Sequence, residues 1–377
     1  MLNQIRRLDC LAGRITFNLL RIFGFKEVPL PGSPVKVKKI LCVKLWGLGN
    51  LALICPLIGD IKKIFPEARI IFLTFDLNRG FLENSGLIER VVYFKYTKNI
   101  FLILKQFIVF VIRFRKEKID LAVNFETFNN ASAIFAYLTR APLRFGFRNR
   151  YEGIFYTNPV CNKQSEHISQ SFLSLVLPLD NKVTYNYFNF TGSGRDKIAG
   201  FMSNFRMERY VCIHPGTIEN FKGKRYRKDY FSELTGLLLK NHGLPVVFTG
   251  TEKETGLVKE IVDKLADTDK VLNLAGKLAI AEFIELLKGS FLFISNDSGP
   301  VHIAASLGIN TVVFYGPTSP ARYGPLNRNS LVFYKNHQCS PCVGTDYINK
   351  KCRNNFSCLN FSPQEVFPLI SERFFHG

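Results

Sequence analysis

From residue 38 onward the chain repeats one pattern: a short apolar run, a glycine-containing or polar turn, then a longer amphipathic stretch. Few folds accept that order. A strand followed by a helix before the next strand can pair gives a mostly parallel sheet, because parallel neighbours need a crossover, and helices then cover both faces. The first series predicts strands at 40–45, 69–74, 91–94 and 121–124. Its helices fall at 51–65, where Pro56 is expected to introduce a bend, and over a long stretch ending near Lys116. A second series starts near Tyr210, with strands at 211–213, 245–249, 291–295 and 311–315 and helices at 230–241, 281–288 and 301–307. Between them, 178–194 is rich in Asn, Thr and Gly and reads as a boundary. Three parts are therefore expected: an N-terminal segment, 1–35, and two doubly wound α/β domains, 36–182 and 183–377.

Charge narrows the partners. The net charge of +20 suits nucleic acid, an anionic membrane surface or a phosphorylated substrate. Residues 5–23 place Ile5, Leu8, Ala12, Ile15, Leu19 and Ile22 at helical spacing, with Arg7, Arg14 and Arg21 on another face. Such a helix could lie on an anionic bilayer or dock on its own protein. The longest apolar run, 100–112, is interrupted by Lys105 and Gln106 and closed by Arg113, short of the roughly 18 uncharged residues of a spanning helix. Five of the nine cysteines, Cys10, Cys42, Cys55, Cys161 and Cys212, sit in apolar surroundings and read as small buried hydrophobes. The start of the chain has no signal-peptide pattern, so a cytoplasmic protein is expected.

The segment most informative for chemistry is Phe291-Leu-Phe-Ile-Ser-Asn-Asp297-Ser298-Gly299-Pro300-Val301-His302. An apolar strand runs into a tight polar turn and then a helix start, whose N–H groups and positive dipole end suit an anion. Gly299 would admit a phosphate close to the backbone, Asp297 could hold a ribose hydroxyl, and Ser298 could add another contact; alternatively, Asp297 or Ser298 caps the helix. Two more loops should open on the same sheet edge. His214-Pro215-Gly216-Thr217 precedes a basic cluster of Lys222, Lys224, Arg225, Arg227 and Lys228, which would steady a diphosphate leaving group or form a solvated face. Gly250-Thr251-Glu252 ends the next strand, where Glu252 reads as a ribose contact or a loop carboxylate.

Together, Lys44-Leu-Trp-Gly-Leu-Gly-Asn50 with Pro56, His214-Pro-Gly-Thr217, Lys224-Arg-Tyr226, Gly250-Thr-Glu252, Asp297-Ser-Gly-Pro-Val-His302 and Phe314-Tyr-Gly-Pro-Thr318 resemble glycosyltransferase family nine, the ADP-heptose:lipopolysaccharide heptosyltransferases. The resemblance covers about residues 38–368 and is most specific at 297–307 and 316–318. It implies a GT-B fold: two Rossmann-like, doubly wound domains facing a cleft, acceptor on the N-terminal half and nucleotide sugar on the C-terminal half. It further implies that Lys224 meets the donor phosphates and that Glu252 contacts the nucleoside. Asp297, Ser298, Gly299 and His302 would form the donor-binding turn, and Thr217 would belong to the donor-phosphate loop. The activity implied is inverting transfer of a sugar, heptose from ADP-heptose being favoured, to a lipid-linked anionic glycan of the lipopolysaccharide core. That acceptor would place the enzyme at the inner face of the cytoplasmic membrane. No cofactor would be required for catalysis.

This sequence departs from the family at two positions. Where the family usually carries the Asp proposed to deprotonate the acceptor, residue 50 is Asn, and an amide takes no proton at neutral pH. Glu126 first, then Asp76, both at expected strand ends, are the substitute bases; otherwise this member is catalytically impaired or regulatory. Tyr226 stands where Trp is common. The tail carries Cys339, Cys342, Cys352 and Cys358, which could close a structural zinc or iron site or remain free or paired thiols. Gly47, Gly49 and Ala52 also satisfy G-x-G-x-x-A with Asp76 after the next strand, a dinucleotide-oxidoreductase pattern that leaves the 297–302 turn unexplained. No zinc-finger, helix-turn-helix or RNA-binding aromatic signature accompanies the charge, so no specific nucleic acid is expected.

Overall fold

The computed structural model describes residues 36–127, 129–148, 152–184, 190, 192–203, 209–217, 223–342 and 352–376. The basic helix expected at 5–23, the linker around Pro31, Gly32 and Pro34, and Lys222 lie outside the described residues. Two compact units make up the chain, with the main division between Asn186 and Tyr187.

In the N-terminal unit the order is β1 (Lys39–Val43), α1 (Leu48–Ile64), β2 (Arg69–Phe75), β3 (Arg90–Phe94), α2 (Ile100–Glu117), β4 (Leu121–Asn124), α3 (Asn130–Leu138), β5 (Leu143–Arg148), β6 (Asn158–Cys161) and α4 (Ile168–Val176). The strands form one sheet, β3-β2-β1-β4-β5-β6, with every pair parallel. β1 and β4 lie at its centre and are buried at every residue but Lys39, which is why they read as continuous apolar runs. β6 contains Pro159 and sits at the edge, where a missing N–H costs no ladder bond. One expectation shifts. Gly47 turns the chain at φ 90°, so α1 begins at Leu48, and Asn50 lies in its first turn rather than in a preceding loop.

The C-terminal unit runs α5 (Arg195–Met202), β7 (Val211–His214), α6 (Lys228–His242), β8 (Val246–Phe248), α7 (Thr255–Val262), β9 (Val271–Asn273), α8 (Ile280–Gly289), β10 (Leu292–Asn296), α9 (Gly299–Ser306), β11 (Asn310–Tyr315), α10 (Pro320–Tyr323), β12 (Ser330–Tyr334) and α11 (Pro363–Phe375). Its sheet is β12-β11-β10-β7-β8-β9, again wholly parallel. Val211, Ile213, Ile294, Val312 and Phe314 from the strands pack on Leu234 and Leu238 of α6 and on Val366 and Ile370 of α11. Counted within each unit, both sheets have the order 3-2-1-4-5-6, so each is a doubly wound Rossmann-like sheet whose strand order reverses between its first and fourth strands. Ligands of such sheets bind beyond the strand C-termini at that reversal. Among the described residues no helix is long and apolar enough to cross a membrane.

Candidate active site

The reversal in the C-terminal sheet falls between β7 and β10, where His214 pairs with Ser295. Three short segments meet there, and buried side chains tie them together. Asn296 ends β10; its Nδ2 donates to Pro215 O at 2.8 Å, and its Oδ1 accepts the Tyr226 N–H at 2.7 Å. Ser295 Oγ donates to His214 O at 2.9 Å. One strand end thus fixes both the His214–Thr217 loop and the Lys224–Tyr226 loop.

On this frame Lys224 Nζ lies 2.7 Å from Asp297 Oδ2, with side chains 13% and 8% exposed. Thr318 Oγ1 donates to the same oxygen. The helix-capping alternative for this turn is not what is found. Ser298 is the N-cap of α9 but makes no side-chain cap hydrogen bond, its hydroxyl meeting Ser295 Oγ at 3.0 Å, while Asp297 points to Lys224. An ammonium held by a carboxylate therefore stands close in sequence to an α9 N-terminus that starts at Gly299 and lacks a side-chain cap. That arrangement favours an anion. His302 lies buried one turn into α9.

Thr217 is buried, and Arg225 secures it, Nε on the hydroxyl and Nη2 on the carbonyl, each at 3.3 Å. Gly216 sits against Glu254 so closely that a Cβ there would fall 1.9 Å from Oε1. Glu254 is buried; its Oε2 accepts from Thr251 N and Oγ1, both at 2.8 Å. Glu252, the expected nucleoside contact, opens the same short 3₁₀ turn after β8 and is exposed. His214 Nε2 is 3.8 Å from Glu254, but burial pushes the imidazole below its ordinary 6.5, against the pull of Glu254. The ring shares a 3.3 Å hydrogen bond with Thr249. Tyr226, in the position common to Trp, stacks on Phe314 at 3.9 Å and 6° and donates to Phe361 O at 2.6 Å. It fills the core beneath the loop.

The N-terminal sheet reverses between β1 and β4, and a second charge pair marks the place. Lys44 and Glu126 meet at 2.9 Å with side chains 2% and 6% exposed. The other Glu126 oxygen accepts Leu45 N–H at 2.6 Å and Trp46 N–H at 3.0 Å. Glu126, expected as the first substitute base, cradles the 44–46 loop that leads to Gly47. Taking a proton there would break the ion pair with Lys44. Asp76 starts a 3₁₀ turn after β2, is partly exposed, and uses Oδ1 to accept the Tyr96 N–H at 2.9 Å. Asn50, the third residue of α1, is likewise partly exposed.

In the tail, Cys339 Sγ lies 3.3 Å from His337 Nδ1, and Cys352 accepts the Phe356 N–H. Burial, with lesser contributions from Cys342, Cys339 and Cys352, pushes the Cys358 thiol up to about 11. Among the described residues no three His, Cys, Asp or Glu side chains are grouped to hold a metal ion. Sequence reasoning singled out Lys224 and Asp297 separately but not their pairing. It named Arg225 only as one of a basic cluster and gave Asn296 no role, although both lie inside the quoted segments.

Comparison with known proteins bears on the family. The sequence profile of glycosyltransferase family 9 (heptosyltransferase) matches residues 111–353. Lipooligosaccharide heptosyltransferase 2 of Campylobacter jejuni subsp. jejuni serotype O:2 is 26% identical over 319 residues, 81% of this chain and 90% of that protein. Among solved structures, a family 9 glycosyltransferase from Veillonella parvula superposes with a TM-score of 0.75 at 18% identity, covering 91% of this chain and 100% of that one. The E. coli ADP-heptose lps heptosyltransferase II gives 0.70 at 19%, covering 90% and 99%.

Proposed function

Because the chain belongs to glycosyltransferase family 9, with the GT-B pair of Rossmann-like sheets, we infer that it transfers heptose from ADP-heptose to a lipopolysaccharide-core acceptor, with inversion. The observation that carries the donor half is the Lys224–Asp297 pair beside the uncapped start of α9 at the β7/β10 reversal. As the sugar–phosphate bond breaks, the electron pair stays on the diphosphate, and Lys224 with the α9 amides meets the growing charge. Thr217, held by Arg225, and Glu252 complete the donor contacts. The acceptor oxygen attacks the anomeric carbon from the opposite face, a single displacement that inverts it. No step runs through a metal. The G-x-G-x-x-A pattern at 47–52 is the first turn of a Rossmann-like sheet put to transferase use.

Asn50 orients the acceptor hydroxyl by accepting its hydrogen bond, and Asp76 takes the proton, in place of Glu126, whose oxygens are engaged. A lipid-linked acceptor places the enzyme in the cytoplasm, peripherally on the inner face of the membrane. Calorimetry with ADP-heptose tests the donor site. Lys224→Ala should weaken binding roughly tenfold or more, since charge-assisted contacts are worth about 1.5–3 kcal/mol, and Asp297→Ala should weaken it by releasing Lys224 from its place. Asp76→Asn should leave that affinity intact and lower turnover by about 10²–10⁴. Unchanged affinity in both donor-site variants refutes the site; undiminished turnover in Asp76→Asn removes Asp76 as base.

A further inference from the structure

We propose that the outer face of α2 is a docking surface for an anionic lipid bilayer. The helix buries one stripe against the sheet, where Val111 and Phe114 are covered and Ile103, Phe107 and Phe110 pack beside them. Its other stripe is what a water-facing helix should not carry. Phe101 is 78% exposed, and Leu104, Ile108 and Ile112 follow it at helical spacing, each about half exposed. Of the twelve large hydrophobic side chains exposed among the described residues, seven belong to this helix. Scattered apolar residues are normal on a surface; a contiguous patch marks an interaction site.

Charge decides which partner fits. Lys105, Arg115 and Lys116 are exposed and share the outer stripe with the apolar side chains, and Arg113 and Lys118 flank it. The helix's one acid, Glu117, is committed to Arg90 and Arg113. A two-fold contact between copies would bring this basic set against itself. The basic segment 5–23, with Arg7, Arg14 and Arg21, would repeat the same conflict. A bilayer with anionic headgroups meets both demands: Phe101, Leu104, Ile108 and Ile112 enter the acyl boundary while Lys105 and Lys116 reach back to phosphates. Lys105 and Gln106 inside the run keep the helix in the interface plane rather than across it. The inference rests on the proposed function only for which membrane carries the acceptor.

The test is flotation of the full-length protein with vesicles of phosphatidylcholine containing about a third phosphatidylglycerol, and with phosphatidylcholine alone. Wild type should float with the anionic vesicles, and Phe101→Glu/Ile108→Glu should lower its partition coefficient roughly tenfold or more. Lys105→Glu/Lys116→Glu should lower it less. An unchanged urea midpoint of Trp46 fluorescence keeps misfolding out of the comparison. Calorimetry with ADP-heptose, expected to be unaffected, separates failure here from failure of the donor assignment. Wild type that does not float overturns the proposal. So does a Phe101→Glu/Ile108→Glu protein that floats like wild type, whether Arg7→Glu/Arg14→Glu/Arg21→Glu abolishes binding or light scattering shows a dimer turned monomer.

Discussion

Substituting Glu126 by Gln separates a loop-holding carboxylate from a catalytic one. Lys44 and Glu126 pair at 2.9 Å with almost no exposure, and the second carboxylate oxygen holds the amides of Leu45 and Trp46. Glutamine keeps the shape and one acceptor oxygen, so the backbone bonds can survive, but Lys44 is left buried without a counter-charge. Removing one partner of a buried pair costs about 3–5 kcal/mol; the retained backbone bonds place this case near 3 kcal/mol. Trp46 is the only tryptophan in the chain and packs edge-on against Phe75 and Tyr96, so its fluorescence in urea follows this unit alone. With a slope of about 2–3 kcal/mol per molar urea, the midpoint should fall by about 1 M. Lys44→Met combined with Glu126→Gln removes both charges and should be more stable than the sum of the single variants by about 1–3 kcal/mol. A midpoint unmoved by Glu126→Gln, or strict additivity in the cycle, refutes the holding role. A folded Glu126→Gln protein with turnover down by about 10²–10⁴ would return Glu126 to catalysis.

Tyr226→Phe should lose only the hydrogen bond to Phe361, about 1 kcal/mol, whereas Tyr226→Ala should cost about 3–5 kcal/mol through the cavity left beside Phe314; thermal unfolding of the C-terminal unit distinguishes them. Folded His214 has its pKa lowered by burial, so below about 6.5 the unfolded chain binds a proton that the folded chain refuses, and stability falls as pH drops through that value. Urea midpoints followed by circular dichroism from about pH 7.5 to 5.5 should show that loss in wild type and a flatter profile in His214→Asn.

Much of the fold was legible because both sheets are buried on two faces at their centres. A strand such as β4, Leu121–Asn124, needs four apolar-compatible residues in a row, and that run is visible without any partner. The edges were less visible for the same reason. β6 includes Pro159, and β9 is only Val271–Asn273; neither is covered enough to demand an apolar signature. The polar loop residues of the C-terminal unit could be read off as motifs because strand ends carry them. Their pairing could not: Lys224 and Asp297 are 73 residues apart in sequence, and only the β7/β10 neighbourhood brings them to 2.7 Å. The surroundings of Glu126 were hidden for a related reason. Its place at a strand end was right, but nothing in the sequence says that Lys44 and two backbone amides will claim its oxygens.

The two reversals carry the same elements, a lysine and a carboxylate from the strand-4 end, in forms that differ in what a ligand can do. In the N-terminal unit the carboxylate also holds backbone N–H groups, so withdrawing it would unmake the loop it supports. In the C-terminal unit the Asp297 carboxylate accepts from the side chains of Lys224 and Thr318, while Asn296 does the backbone tying next door. Splitting those duties between neighbouring residues would leave the loop frame in place if Lys224 turned from carboxylate to diphosphate, as proposed. Thr318 can then keep Asp297 hydrogen-bonded through the exchange. On the proposed reading, an incoming diphosphate would compete with one ion pair rather than with the fold, and the lysine it took would already be held near where the charge develops, which is the preorganisation that electrostatic catalysis requires.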